Sequence, residues 1–404
     1  MWRWPVLILP FGIQNGFVRI GFAFIATQHG LNITDGALLV AAQFATQWLK
    51  WLWAPLVDLT LSHATWYRLS GALSAISVVV ACAIPLGPDT LTLELIILAC
   101  GGLANSFVAM SVEAMMITQT PRDQIGTASG WFQAGSLGGI GVGGGFGLLL
   151  LKTLSHQWMA GVTLGALIVS PCLALHRSNA PAQSETGLRP AESLQMLLGD
   201  IRQLLRAVDG RLLFVLSMLP IGLGAAFSVL AQAAVARHWG ANASHVALVQ
   251  GLLAGVAAIV GSLAGGRLCS WRQPLRVYAG AGASVAIVTF AMPLFPPTVT
   301  TFTAGVLAYT CATGAAYASF TAVVLERINP RAGSTEYNIF ASLANFPLWW
   351  LGLLLGWVAQ RYGPNGMLRS EGVVGLVGVI TLLILSARHR EGGVSAPMRR
   401  VHYE

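Results

Sequence analysis

The sequence predicts an all-α membrane protein of twelve transmembrane helices, arranged as two six-helix halves. Three observations predict it. The first is composition: of 404 residues 55% are hydrophobic and only 9% charged, with a mean hydropathy of +0.68, whereas a soluble domain carries roughly a quarter charged residues. The second is length, since apolar stretches of about 20 residues, enough to cross a hydrocarbon core about 30 Å thick, follow one another along nearly the whole chain. The third is repetition: the polar punctuation between the stretches recurs about 210 positions later.

In chain order, the first half has spans near 4–28, 36–57, 66–86, 93–118, 125–151 and 157–175. Trp2-Arg3-Trp4 leads into an apolar run with no small-residue cleavage pattern, so the first stretch reads as a span rather than a removable leader. The second span ends at Pro55–Asp58, and Pro121-Arg122 separates the fourth from the fifth. The fifth is crowded with glycine from Gly126 to Gly147; small residues let helices approach closely in lipid, where packing supplies the association energy. Residues 1–176 thus form an N-terminal six-helix bundle. The long polar segment 177–211 is a cytoplasmic linker. In it Leu194, Leu197, Leu198, Ile201, Leu204 and Leu205 recur at helical spacing beside Arg202 and Arg206, as in an amphipathic helix at the inner interface. A simple tether fits as well. The second bundle, 212–388, has spans near 212–236, 245–266, 275–295, 299–326, 335–360 and 370–388, and 389–404 is a cytoplasmic tail.

The two halves correspond at several points. Leu9-Pro10-x-Gly12 with Phe17 recurs as Leu219-Pro220-x-Gly222 with Phe227, and Pro121-Arg122 recurs as Pro330-Arg331. Asp58, ending the second span, falls opposite Arg267, ending the eighth. Parallel six-span repeats of this kind resemble the architecture of the major facilitator superfamily. The net charge of +8 is a topology signal: with both termini cytoplasmic, most of the 23 Lys and Arg fall on the inner side, as the positive-inside rule requires. It does not indicate a nucleic-acid partner. The five cysteines, Cys82, Cys100, Cys172, Cys269 and Cys311, lie in or beside apolar spans without metal-ligand spacing and read as packing residues.

Ionisable residues inside a span are costly, about 2.5–3.5 kcal/mol on insertion scales, and each needs an account. Lys50 in the second span and Glu113 in the fourth both lie about 12 Å in from the inner surface by helical rise, so an ion pair between them is geometrically allowed. It is either a structural pair or a proton-coupling pair, in which Glu113 gives up Lys50 and takes a proton during the cycle. Arg19 in the first span, with Gln14 and Asn15 on the same helix, is a candidate contact for an anionic group of a solute. Gln133, Gln232 and Tyr317 are further candidate solute contacts, and Gln43, Trp131, Tyr309, Asn338 and Asn345 complete the polar and aromatic set. Trp48, Trp51, Trp53, Trp349 and Trp350 sit near span ends and read as interface anchors. At the inner surface, Asp58 is expected to dock on the start of the eleventh span near Arg331, and Arg267 to pair with Asp123. Together these contacts would hold a gate shut.

Lys50-Trp51-Leu52-Trp53-Ala54-Pro55-Leu56-Val57-Asp58, together with Leu9-Pro10, resembles the peptide/acetyl-coenzyme A transporter branch of the superfamily, which includes muropeptide permeases and siderophore permeases of the rhizobactin and pyochelin type. In the fourth span that branch has Gln-Asp-x-x-x-Asp, where this chain has Val108-Ala109 and then Glu113. A chain with room for twelve spans only is similar to the compact siderophore-permease type. The resemblance implies a proton-coupled, alternating-access importer of the inner membrane for a small amphipathic solute, a siderophore or peptidoglycan fragment. Gly126, Gly135, Gly139 and Gly143-Gly144 also resemble the fifth-helix motif of drug–proton antiporters, with Ile140 where those have proline. Efflux by proton antiport is therefore one alternative, and a non-transporting membrane assembly protein is another. No nucleophile–base pair, phosphate loop or metal cluster emerges, so neither enzymatic activity nor a cofactor is expected. The expected partners are the solute, protons and the lipid bilayer, with the chain acting as a monomer.

Overall fold

The computed structural model describes residues 2–22, 31, 33–174, 195, 199, 201–204, 206–328 and 333–392; among them there are helices and no strand. Among the described residues, eight helical runs are by themselves long and apolar enough to cross a membrane. One of these, Gly333–Ala387, contains both the eleventh and the twelfth span, divided where Gly363 adopts φ 73° ahead of Pro364. Only glycine takes that backbone conformation without strain, so the reversal is encoded at that position. The remaining spans are interrupted or shorter, and the fold is that of two six-helix halves.

Several boundaries have a local cause. Ser62 accepts a hydrogen bond from the Thr65 N–H (3.2 Å) to start the third span, His63–Ala83. Thr298 does the same from Thr301 (3.2 Å) for the tenth, Val299–Leu325. Pro274 opens the ninth, Pro274–Ala291, where its missing N–H costs nothing. The duplication is visible in tertiary contacts too. The hydroxyl of Tyr67, in the third span, donates to the Leu7 carbonyl (2.8 Å), and that of Tyr278, in the ninth, donates to the Ile221 carbonyl (3.1 Å).

Several spans depart from a regular helix, the eighth among them, with a π turn at Ala247–Leu253 ahead of Ala254–Trp271. The first, Arg3–Gly16, passes into a π-helical turn, Phe17–Phe22. The second is split into Ile33–Trp48 and Lys50–Leu59, with Leu49 out of helical conformation (φ −94°, ψ 5°). The fifth, Ile125–Gly141, has its own π turn, Val142–Phe146, before Gly147–Thr153. The seventh is the largest departure from the sequence expectation of one continuous helix over 212–236. It consists of Val208–Met218, Ala226–Leu230 and Ala233–Ala236, and the first gap carries Pro220 and two glycines at positive φ, Gly222 (60°) and Gly224 (74°). Proline removes a helical donor and these glycines are wound the opposite way, so the helix cannot pass through.

Glycine also sets the packing. The fifth span lies against the eighth, Ala254–Trp271, so closely that a Cβ on Gly130 would fall 2.8 Å from the Ser262 carbonyl oxygen and one on Gly141 3.0 Å from the Gly255 Cα. Outward, large apolar side chains such as Ile76, Ile96, Val260, Ile287 and Leu353 are more than half exposed, as lipid-facing surfaces are. Of the amphipathic stretch in the linker, 201–204 is helical, while Leu194, Leu197, Leu198 and Leu205 lie outside the described residues, as does Arg331.

Candidate functional site

Between the halves lies a cavity of about 480 Å³. Its wall is mostly apolar and carries many aromatic side chains, with Phe11, Phe44, Trp48, Phe132, Tyr317, Phe320, Tyr337 and Trp349 among the lining residues. The charged groups on it are Arg19, Lys50 and Glu113.

Arg19 is carried by the π turn of the first span, and its guanidinium lies over the ring of Phe44, 4.5 Å from the centroid. A π turn shifts the facing of the residues it contains and is frequent at functional sites. Asn15 lines the same cavity; its Oδ1 accepts from Gln43 Nε2 (3.1 Å) and from Asn105 Nδ2 (3.1 Å), joining the first, second and fourth spans. Gln14 faces elsewhere. It is fully buried against the third span, donating to Ser77 (3.3 Å) and accepting from Ser74, and is not on the cavity wall.

Lys50 is the first residue beyond the break at Leu49. Its Nζ is 3.6 Å from Glu113 Oε1 and 5.6 Å from the Phe11 ring centroid. The other carboxylate oxygen of Glu113 accepts from Asn338 Nδ2 (2.9 Å) on the eleventh span, and Asn338 donates as well to the Ser334 carbonyl (2.8 Å). The ion pair is thereby tied across the seam between the halves. Gln133 makes a second crossing, donating to Thr321 (2.9 Å), which shares a 3.2 Å hydrogen bond with Tyr337. Tyr317 lines the cavity and donates to the Leu223 carbonyl (3.3 Å) in the unwound part of the seventh span.

Asp58 closes one end of this seam. Its carboxylate accepts from the backbone N–H groups of Ser334 (3.3 Å) and Thr335 (2.8 Å) and from the Thr335 hydroxyl (2.6 Å), at the first turn of the eleventh span. The corresponding pair on the other seam does not form: Arg267 and Asp123 are both exposed and make no ion pair with each other, and Arg267 lies over Trp271 at 4.6 Å instead. The close approach of the fifth and eighth spans leaves that seam held by backbone contact rather than by charge.

Two further expectations change. Gln232 is exposed and off the cavity wall, because it sits in the second gap of the seventh span, past the break at 219–225. Trp48 and Trp349 are not interface anchors; they meet edge to face (5.3 Å) on the cavity wall, one from each half. Two features were not among the sequence expectations: Glu371, buried behind Tyr309, and the break in the seventh span. Pro220, Gly222 and Gly224 were the available signal, since a proline- and glycine-interrupted span points to a binding site.

The profile of the Major Facilitator Superfamily matches residues 6–350. The chain belongs to this superfamily. It is a multi-pass membrane transporter, not an enzyme. Its fold is similar to that of a single-residue variant of the Escherichia coli fucose:proton symporter FucP, with a TM-score of 0.73 and 14% identity over 95% of this chain and 97% of the other. It is similar also to the proton:xylose symporter XylE in complex with 6-bromo-6-deoxy-D-glucose, with a TM-score of 0.67 and 15% identity over 95% of each chain. No curated protein matches the chain by sequence. At such identities the likeness concerns the fold, and the facilitator's solute has to be argued from its own cavity.

Proposed function

We propose that this facilitator is a proton-coupled importer of the inner membrane, with both termini cytoplasmic, carrying an amphipathic organic solute such as a siderophore or peptidoglycan fragment by alternating access. The observation that carries the reading is the buried Lys50–Glu113 pair with Asn338 bound to its second oxygen. A proton on Glu113 removes the charge that holds Lys50 and weakens the tie to the eleventh span, whose first turn also holds Asp58. Proton binding and the opening of the Asp58 end, cytoplasmic in this orientation, then act on the same helix. Arg19 is the contact for an anionic group, and Asn15, Gln133 and Tyr317 complete the polar wall. The aromatic lining suits an apolar or conjugated body.

The test is accumulation of labelled ferric siderophores and labelled peptidoglycan fragments by cells that lack the protein and by complemented cells, with and without a protonophore. Accumulation that depends on the protein and is abolished by the protonophore is expected. Accumulation that rises when the gradient collapses would instead establish proton-antiport efflux. Fucose and xylose belong to the same panel because the two similar structures are symporters of those sugars.

A further inference from the structure

Glu371 is a buried carboxyl remote from the Lys50–Glu113 pair in the chain. It lies on the twelfth span, 4% exposed. Oε1 accepts from the hydroxyl of Tyr309 at 2.7 Å and from the backbone N–H of Ala226 at 3.3 Å; Oε2 has no partner among the described residues. Tyr309 is part of the cavity wall, and Ala226 is the first residue to regain helix after the unwound stretch of the seventh span.

The groups facing Glu371 come from two elements. The tenth span presents Tyr309 and the seventh presents the backbone of Ala225 and Ala226. The ninth packs Thr289 and Phe290 against the adjacent Gly372. None of these is a cation, and Arg369, two residues back on the same helix, is exposed. An ionised carboxylate here would keep a full charge with one oxygen bare, which a buried site tolerates poorly. A carboxylic acid fits the same geometry: the carbonyl oxygen takes both donors and the proton occupies the oxygen without a donor.

We propose that Glu371 is a second proton-binding site of the transporter, separated from the central cavity by Tyr309, and that its protonation state sets how the unwound seventh span is attached to the twelfth. Loss of the proton to cavity water leaves a carboxylate that needs donors at Oε2, and the neighbouring backbone, from Ala225 back, is that of the break at 219–225. The use of this site in transport rests on the reading proposed above; proton binding itself does not and is measured without any solute.

The experiment uses the full chain in lipid nanodiscs, with pH as the only variable. Infrared difference spectra between low and high pH should contain a carboxylic-acid band that is missing in Glu371→Gln and shifted in Tyr309→Phe, which lacks the hydroxyl but keeps the carboxyl. Amide protection over 219–231, referenced to intrinsic exchange at each pH, should rise severalfold as that band disappears in the unaltered protein, and should be independent of pH in Glu371→Gln. A full set of bands in Glu371→Gln, or protection over 219–231 that ignores pH in the unaltered protein, overturns the proposal. Absence of solute accumulation with this band intact would sink the importer reading alone.

Discussion

The carboxylate of Asp58 holds Thr335 twice, by its backbone N–H at 2.8 Å and by its hydroxyl at 2.6 Å. One residue ends the second span and the other begins the eleventh, so a single side chain bridges the two halves of the transporter. Hydrogen bonds to a charged group contribute about 1.5–3 kcal/mol each. Asp58→Ala removes all of them and leaves two N–H donors without their acceptor. With a reporter cysteine at Ala341 on the cavity wall, alkylation from the Asp58 end is expected to be at least about tenfold faster in Asp58→Ala, the factor that 1.4 kcal/mol supplies. Equal rates would show that this contact does not hold the end closed.

Lys50 and Glu113 bear on stability and coupling separately. Removing one member of a buried pair strands the other charge, at a cost of about 3–5 kcal/mol. Lys50→Met and Glu113→Ala should each lower the melting temperature in detergent. Lys50→Met combined with Glu113→Gln should recover most of that loss, since glutamine can still accept from Asn338. The double variant should nonetheless accumulate no solute against a gradient, while solute exchange persists. Uphill accumulation in the double variant would remove the proton role of Glu113.

Arg19→Lys should not behave as a conservative change. The planar guanidinium lies on the Phe44 ring and offers a fork of donors that an ammonium cannot reproduce. For an anionic solute, KM is expected to rise about tenfold or more in Arg19→Lys and further in Arg19→Ala. For a neutral analogue it should change little in either. Comparing the two solutes in each variant checks it.

The contact between the fifth and eighth spans predicts a contrast between two glycines. A methyl on Gly130 would meet Ser262 O at 2.8 Å and Gly266 Cα at 2.9 Å, both backbone atoms that cannot swing aside. On Gly145 the nearest atom would be at 3.6 Å, an ordinary contact. Gly130→Ala should cost about 1–3 kcal/mol through overpacking. Gly145→Ala should be close to neutral. Thermal unfolding of the two variants side by side decides it.

The broken seventh span and the turn between the last two helices were written in the sequence in different ways. Gly363-Pro364 falls where hydropathy already ends the eleventh span. Pro220, Gly222 and Gly224 lie inside an apolar run, where hydropathy continues and only backbone chemistry reports the break. Hydropathy therefore gave the correct span and the wrong helix. The same limit applies to Glu371, whose place beside Arg369 and Ser370 at the start of the twelfth span reveals nothing of Tyr309, 62 positions away.

What the sequence determined by itself was the solvent, the duplicated halves, and the level of each charge along its span. Composition and helical rise are enough for those: Lys50 and Glu113 stand at one depth because each lies eight residues from an inner-surface marker. What only the tertiary structure decided was facing. Each residue turns a helix by about 100°, so the π turn at Phe17–Phe22, the kink at Leu49 and the gaps of the seventh span each reset the direction of everything beyond them. Arg19 therefore reaches the cavity while Gln14, on the same helix, bonds the third span and Gln232 lies off the wall. Depth follows from counting residues, but facing depends on backbone irregularities whose position is fixed by packing between helices.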